Sequence, residues 1–286
     1  MTGVRSKGGL EGKAVLVTGG GTGIGRACAA QLAADGAAVT IVGRTASKLE
    51  DAAKRITQVA AFGGSVQWLA GDVTNEADVQ RALAKTLEAT GKLDGLVANA
   101  GGGGALAPLH LQDTQEFLRV LHLNVLSTFL CVKHSVPLMV AAGGGSFVGM
   151  SSIAGGQTHL NFGAYTAGKA GIEALMRNAA DEFGQSGLRF NAVRPGFIST
   201  EIMEGVPRSS ATYQSYIENT PLNGVGEPEQ VAELVRFLIG PESQWITGQI
   251  IHVDGGHGLR RGPNFGHFIA PVLGDAVMRG NLPKKA

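Results

Sequence analysis

The chain has 286 residues, 44% of them hydrophobic and 16% charged, with a formal net charge of +1. That apolar content excludes a disordered chain, and the near-zero charge without a basic stripe leaves no footprint for nucleic acid. No stretch reaches the roughly 18 unbroken apolar residues of a membrane span, and residues 1–13 lack the apolar core of a signal peptide, so a cytoplasmic protein with no membrane partner is expected.

Glycine, 44 residues, is the compositional outlier. It falls in separate clusters without a period, which points to tight turns and close backbone approaches. Cys28 and Cys131 lie far apart and form no CxxC pair, so they read as buried thiols in a reducing compartment. The seven histidines show no metal-ligand spacing, and no metal is expected.

In chain order, 14–18 (Ala-Val-Leu-Val-Thr) reads as a first strand and 24–35 as a helix. A strand at 38–43 precedes a helix over 46–61, a strand at 65–69 a helix over 76–90, and a strand at 93–99 a long helix over 113–141. A strand at 145–150 precedes a helix over 163–185, and a sixth strand covers 188–193. A helix near 229–239 leads to a last strand at 249–253. Continuous apolar strands separated by helices predict an α/β fold: a doubly wound, Rossmann-type parallel sheet of seven strands with helices on both faces. No linker divides the chain, so residues 1–286 are read as one domain with its ligand at the carboxyl ends of the strands.

Two segments break the alternation. Residues 200–228 contain three prolines and no strand pattern, and read as a substrate loop over the strand ends. The extension over 257–286 carries an apolar cluster (Phe265, Phe268, Ile269, Val272, Leu273) too apolar for a solvated terminus. It is expected to be partly ordered and to pack over the substrate mouth or a neighbouring subunit.

Two groups carry chemistry. After the first strand comes Thr18-Gly-Gly-Gly-Thr-Gly-Ile-Gly25, which opens a helix; bare glycine backbone there lets a phosphate approach free N–H groups at the positive end of the helix dipole. It does not fit the strict GxGxxG spacing. Tyr165 and Lys169 are four apart on a helix and share a face. A free phenol near pKa 10 is a poor acid/base at neutral pH, and a neighbouring ammonium favours its phenolate. Ser152 ends the fifth strand, where its hydroxyl can reach a substrate oxygen; Ser151 should point the opposite way. His159, in the loop before Tyr165, reads as a solvated histidine, with substrate contact as the alternative.

The spacing TGxxxGxG on Thr18, Gly19, Gly23 and Gly25 resembles the short-chain dehydrogenase/reductase family, and the resemblance continues along nearly the whole chain. Asp72-Val73 follows the third strand, Asn99-Ala100-Gly101 ends the fourth, and Asn124 lies in the long helix. Ser152, Tyr165 and Lys169 match the serine and YxxxK of the family. Pro195-Gly196 and Thr200 match its PGxxxT segment, and Asp254-Gly-Gly256 the close of the last strand. The resemblance implies Asn124, Ser152, Tyr165 and Lys169 as the catalytic set, Lys169 also binding the nicotinamide ribose and Asn124 holding a proton-relaying water. It implies a dinucleotide held by Gly19, Gly21, Thr22, Gly23, Ile24 and Gly25, then by Asp72, Val73, Asn99, Ala100 and Gly101, by Tyr165 and Lys169, and by Pro195, Gly196, Ile198 and Thr200. It further implies a small-molecule carbonyl or alcohol substrate and a homotetramer or homodimer built through the long helices.

Cofactor choice is read at the second strand's end, Val42-Gly43-Arg44-Thr45. Gly43 stands where an acid would bind the ribose 2′-hydroxyl, and Arg44 can pair with a 2′-phosphate, so NADP(H) is expected over NAD(H), with Arg44 acting nearly alone. A 3-oxoacyl thioester or simple ketone is the preferred substrate. A 2,4-dienoyl-CoA reductase-like enzyme and a non-catalytic NADP-binding regulator remain the alternatives.

Overall fold

The computed structural model describes residues 8–260, 262 and 265–282. The first seven residues of the segment read for a signal peptide lie outside them, as do residues 261, 263, 264 and 283–286 of the extension.

The strands form where short β-branched runs are apolar on both faces. β1 (Ala14–Thr18) is buried along its whole length. It pairs in parallel with β2 (Ala38–Gly43) on one side and β4 (Gly95–Ala98) on the other. β3 (Ser65–Ala70), β5 (Gly145–Met150), β6 (Leu188–Pro195) and β7 (Ile250–Val253) complete a seven-stranded parallel sheet of order β3-β2-β1-β4-β5-β6-β7. The order reverses at β1/β4, so the loops after β1 and β4 part there and leave a crevice at the carboxyl ends.

The helices cover both faces, and the buried side chains divide accordingly into two clusters. One joins α1 (Gly23–Ala34), α2 (Ala46–Val59) and α8 (Pro228–Ile239) to the sheet. The other packs α3 (Glu76–Thr90), α5 (Ser127–Ala141) and α6 (Gly163–Phe183) on the opposite face. There Phe147 of β5 and Phe190 of β6 face each other in register, stacked at 5.3 Å, both fully buried. Truncating either side chain would cost about 3–5 kcal/mol. Cys28 and Cys131 are buried free thiols, and burial pushes each pKa up to about 12.

The long helix expected over 113–141 is interrupted. α4 (Thr114–Leu121) passes through a π-helical turn, His122–Leu126, into α5. The run Thr114–Ala141 has the length and hydropathy of a membrane span, but it packs in the core against α3, α6 and the sheet. The 200–228 excursion has no strand, as expected, yet it contains a helix that the sequence reading missed, α7 (Ala211–Asn219), capped by the Ser210 hydroxyl accepting from the Tyr213 amide. The extension folds into two short helices, α9 (Gly266–Leu273) and α10 (Asp275–Met278).

Candidate active site

A pocket of about 420 Å³ runs along the crevice from the end of β2 to the end of β6. Its wall is backbone where the glycine loop meets β4. Gly19 has φ +66°, a left-handed conformation that favours glycine, and its carbonyl accepts from Asn99 Nδ2 at 3.3 Å. Asn99 Nδ2 also reaches Thr18 O at 3.1 Å, and the Ala100 amide donates to Thr18 Oγ1 at 2.9 Å. These bonds hold the loop open. A side chain on Gly25 would run into the Gly19 carbonyl, so Gly25 keeps helix and loop in contact without lining the pocket. Thr22, at the N-cap of α1, makes no side-chain cap, and no acid sits in the first turn. The positive helix end is therefore offered to the pocket.

Gly19, Gly21, Thr22, Gly23 and Ile24 line one side; Asp72, Val73, Asn99, Ala100 and Gly101 line the next; Pro195, Gly196, Ile198 and Thr200 close the far side. At the β2 end, Gly43 and Arg44 line it together with Lys48, which the sequence reading missed. Lys48 sits in the first turn of α2, so only the helix direction brings it back over the strand end. The nearby acids are engaged elsewhere: Glu50 pairs with Lys54 at 2.9 Å, Asp51 with Arg55 at 3.1 Å, and Asp72 Oδ1 accepts from Thr74. Arg44 and Lys48 have no ion-pair partner among the described residues, so Arg44 does not stand nearly alone. Bare glycine backbone, an uncapped helix start and two cations at one end fit a dinucleotide carrying several phosphates.

At the other end lie Ser152, Tyr165 and Lys169. The neighbouring serines turn opposite ways. Ser151 Oγ donates to the buried Glu173 carboxylate at 2.7 Å, whereas Ser152 lines the pocket with Tyr165 and its hydroxyl accepts from the Ala154 amide at 3.2 Å. Glu173 is in turn held by Arg194. Lys169 is buried, and its ammonium donates to Met150 O at 2.8 Å while lying 5.6 Å from the centre of the Tyr165 ring.

Two expectations need correction. The protein alone does not make the phenol more acidic: burial raises the Tyr165 pKa, the nearby Ser152 hydroxyl only partly offsetting it, and burial pulls Lys169 down to about 8. A phenolate in a low-dielectric site is costly, and Lys169 spends one of its three N–H donors on a backbone carbonyl. Asn124 lies behind the pocket wall, not on it. Its Nδ2 donates to Gly102 O at 2.8 Å and Val120 O at 2.9 Å, and its Oδ1 accepts from the Gly102 amide at 3.3 Å. With these bonds made inside the π-helical turn, the side chain clamps the loop after β4.

His159 is also not a solvated histidine. It is 5% exposed, its Nδ1 lies 3.1 Å from Gln157 O, and burial lowers its pKa to about 4. The cover is the extension: the Phe265 ring lies 6.3 Å from the imidazole.

A family model described as enoyl-(acyl carrier protein) reductase matches residues 19–258. The chain is 37% identical over 245 residues to cis-4-hydroxycyclohexanecarboxylate dehydrogenase of Sinomonas cyclohexanicum, covering 86% of this chain and 96% of that protein. It is 33% identical over 248 residues to the 7alpha-hydroxysteroid dehydrogenase of Escherichia coli K12, covering 86% and 94%. Among solved structures, a short-chain type dehydrogenase/reductase from Mycobacterium ulcerans superposes with a TM-score of 0.93 at 42% identity, over 96% of this chain and 99% of that one. A 7alpha-hydroxysteroid dehydrogenase complexed with NADH and 7-oxo glycochenodeoxycholic acid superposes at 0.83 and 31% identity, over 88% and 97%. With this sheet order and matches along most of its length, the chain belongs to the short-chain dehydrogenase/reductase family, oxidoreductases that act on CH–OH and C=O groups with NAD(P)(H).

Proposed function

We propose that the protein is an NADP(H)-preferring oxidoreductase that interconverts a ketone and a secondary alcohol, with Tyr165 as general acid/base. The observation that carries this reading is the placement of Ser152 and Tyr165 together beside buried Lys169, at the end of a pocket walled by glycine backbone. The whole chain acts as one catalytic domain, with 200–228 and the extension over its mouth.

When bound, the nicotinamide supplies or accepts the hydride and, in its oxidised form, brings a positive charge near the phenol. The residues of the chain handle the oxygen and the proton. The Ser152 hydroxyl donates to the substrate oxygen and orients it. Tyr165 gives its proton to that oxygen during reduction; burial keeps the phenol protonated at neutral pH, so the donor form is the resting one. Lys169, charged below about pH 8, holds the proton that restores the phenol. Asn124 keeps the loop at Gly101–Gly102 in place.

Arg44 and Lys48 favour the cofactor with a 2′-phosphate, since Gly43 presents no acid to repel it. Two of the relatives act, by their names, on a cyclohexane alcohol and a steroid alcohol, which supports a ring ketone as substrate beside the 3-oxoacyl thioester. Leu118, Phe129 and Val140, all exposed on the 114–141 run, support assembly as a homotetramer or homodimer through that surface. A monomer by light scattering would overturn the assembly.

The test is an initial-rate panel of cyclic ketones, 3-oxoacyl thioesters and 2,4-dienoyl thioesters, each with NADPH and NADH. Ketone reduction with a clear NADPH preference is expected. Turnover of the dienoyl thioester alone would replace carbonyl chemistry by double-bond reduction. Tight NADPH binding with no turnover would make the protein a regulator.

A further inference from the structure

The extension lies outside the family model, which ends at residue 258, and the match to the Escherichia coli relative covers only 86% of the chain. The Mycobacterium ulcerans structure matches 96% of the chain, so most of the extension falls within that superposition. The segment is therefore a built part of at least one other member of the family.

Its course is fixed by side chains from three parts of the molecule. Gln157 Nε2 donates to His257 O at 3.3 Å and Gly258 O at 3.1 Å, and also to Arg260 O. The Arg260 guanidinium donates to Glu218 O at 2.7 Å, at the end of α7. Further on, His267 Nε2 lies 3.0 Å from Thr212 Oγ1 on α7, and His110 Nε2 lies 3.3 Å from Asn281 O. The extension is thus tied to the loop before Tyr165, to α7 and to the short 3-10 turn Leu109–Leu111.

What it places there is an aromatic ring. Phe162 stacks on Tyr165 with ring centres 4.7 Å apart and an interplanar angle of 27°. Phe265 of the extension packs on Phe162 at 5.5 Å, tilted by 57°. Phe162 is also wedged against the loop after β4, where a side chain on Gly103 would collide with its ring. Its backbone is pinned by the Ala107 amide, which donates to Asn161 O at 3.0 Å. Phe162 is thus packed between the phenol, the loop at Gly103 and Phe265 of the extension.

We infer that the C-terminal extension forms a wall of the substrate space, and that Phe265, acting through Phe162, is a specificity-determining residue that selects a compact apolar ring on the substrate. The inference rests on the reading of Tyr165 as the acid/base. An aromatic wall next to the phenol offers a face to an apolar ring whose carbonyl reaches Ser152 and Tyr165. The same wall, held down along its length, limits how far a fused-ring or long-chain substrate extends beyond the reacting carbon. A hydrophobic pocket discriminates by about 10–200-fold through such packing. The polar bonds to Gln157, Thr212 and His110 set the position of the wall; they make no demand on substrate charge.

The experiment compares wild type with Phe265→Ala and Phe265→Leu, using a monocyclic ketone, a fused-ring steroid ketone and a short open-chain ketone, with the NADPH Kd measured for each protein. For Phe265→Ala, the KM of the monocyclic ketone should rise about tenfold with kcat little changed, while kcat/KM for the steroid ketone is unchanged or higher. Phe265→Leu, which keeps the bulk but loses the aromatic face, should fall between. The NADPH Kd should not move. An equal loss on all three ketones, or no change in their ranking with either variant, overturns the inference. If wild type turns over none of the ketones while binding NADPH, the proposed activity fails first, a result distinct from an active enzyme whose ranking ignores Phe265.

Discussion

The two ends of the pocket are built by different means. The cofactor end uses backbone. Gly19, Gly21, Thr22 and Gly23 follow one another within a single turn, and Asn99 and Ala100 bind the loop by hydrogen bonds. The other end uses side chains from separate segments of the chain: Ser152 after β5, Tyr165 and Lys169 in α6, and Met203 in the 200–228 excursion. A backbone cradle tolerates little change at its tightest points, because a Cβ on Gly19 would meet Asn99 and the Ala100 backbone, and one on Gly25 the Gly19 carbonyl. A wall of side chains can be refitted one residue at a time. The difference explains how relatives can share the first end while acting, by their names, on substrates as unlike as a cyclohexanecarboxylate and a steroid.

The sharpest way to break that comparison is at the junction of the two ends. Tyr165→Phe removes the phenolic hydroxyl and nothing else, so kcat should fall by at least about a hundredfold. The NADPH Kd should stay within a factor of about two, as the backbone cradle is untouched. Isothermal titration beside steady-state kinetics would show it; a Kd that weakened as much as kcat fell would mean the ends are not separable.

A smaller effect is expected at the cofactor end. Arg44→Ala should reduce the NADPH-over-NADH preference by about tenfold or more, the size expected for one lost charge-assisted hydrogen bond of about 1.5–3 kcal/mol. Lys48→Ala should lower the same ratio by less, because its exposed ammonium is a single mobile charge. Ratios of kcat/KM for the two cofactors decide this. A wild-type preference for NADH would remove the basis of the assignment.

The smallest effect is on pH dependence. Lys169 has its pKa lowered by burial to about 8, so its charged form is lost as pH rises through that value. The rate of ketone reduction should fall by several-fold above about pH 8, and the decline should vanish in Lys169→Met, which will be slower throughout. Stability runs the other way. A folded-state pKa below the unfolded one means that the unfolded chain binds more protons between about 8 and 10.5, so this group's contribution rises with pH across that window. Thermal melts at pH 7.5 and 9.5 check the sign, with Lys169→Met as the reference in which the increment disappears.

The order of strands and helices was readable from the sequence, because apolar runs buried on both faces and helices of period 3.6 leave a doubly wound sheet as the packing that hides them all. The glycine cradle was readable for a related reason: its function is local, held in eight consecutive residues between a strand and a helix. Only the tertiary structure could decide the rest. Whether burial or Lys169 governs the Tyr165 phenol depends on how many atoms exclude water around it, and burial prevails. Asn124 turned out to clamp a loop 22 residues before it, a pairing no spacing rule contains. Lys48 reaches the pocket through the direction of α2. His159 is dry because a segment about a hundred residues later lies over it. Each of these depends on contacts between distant parts of the chain, and such contacts are set by packing, not by pattern.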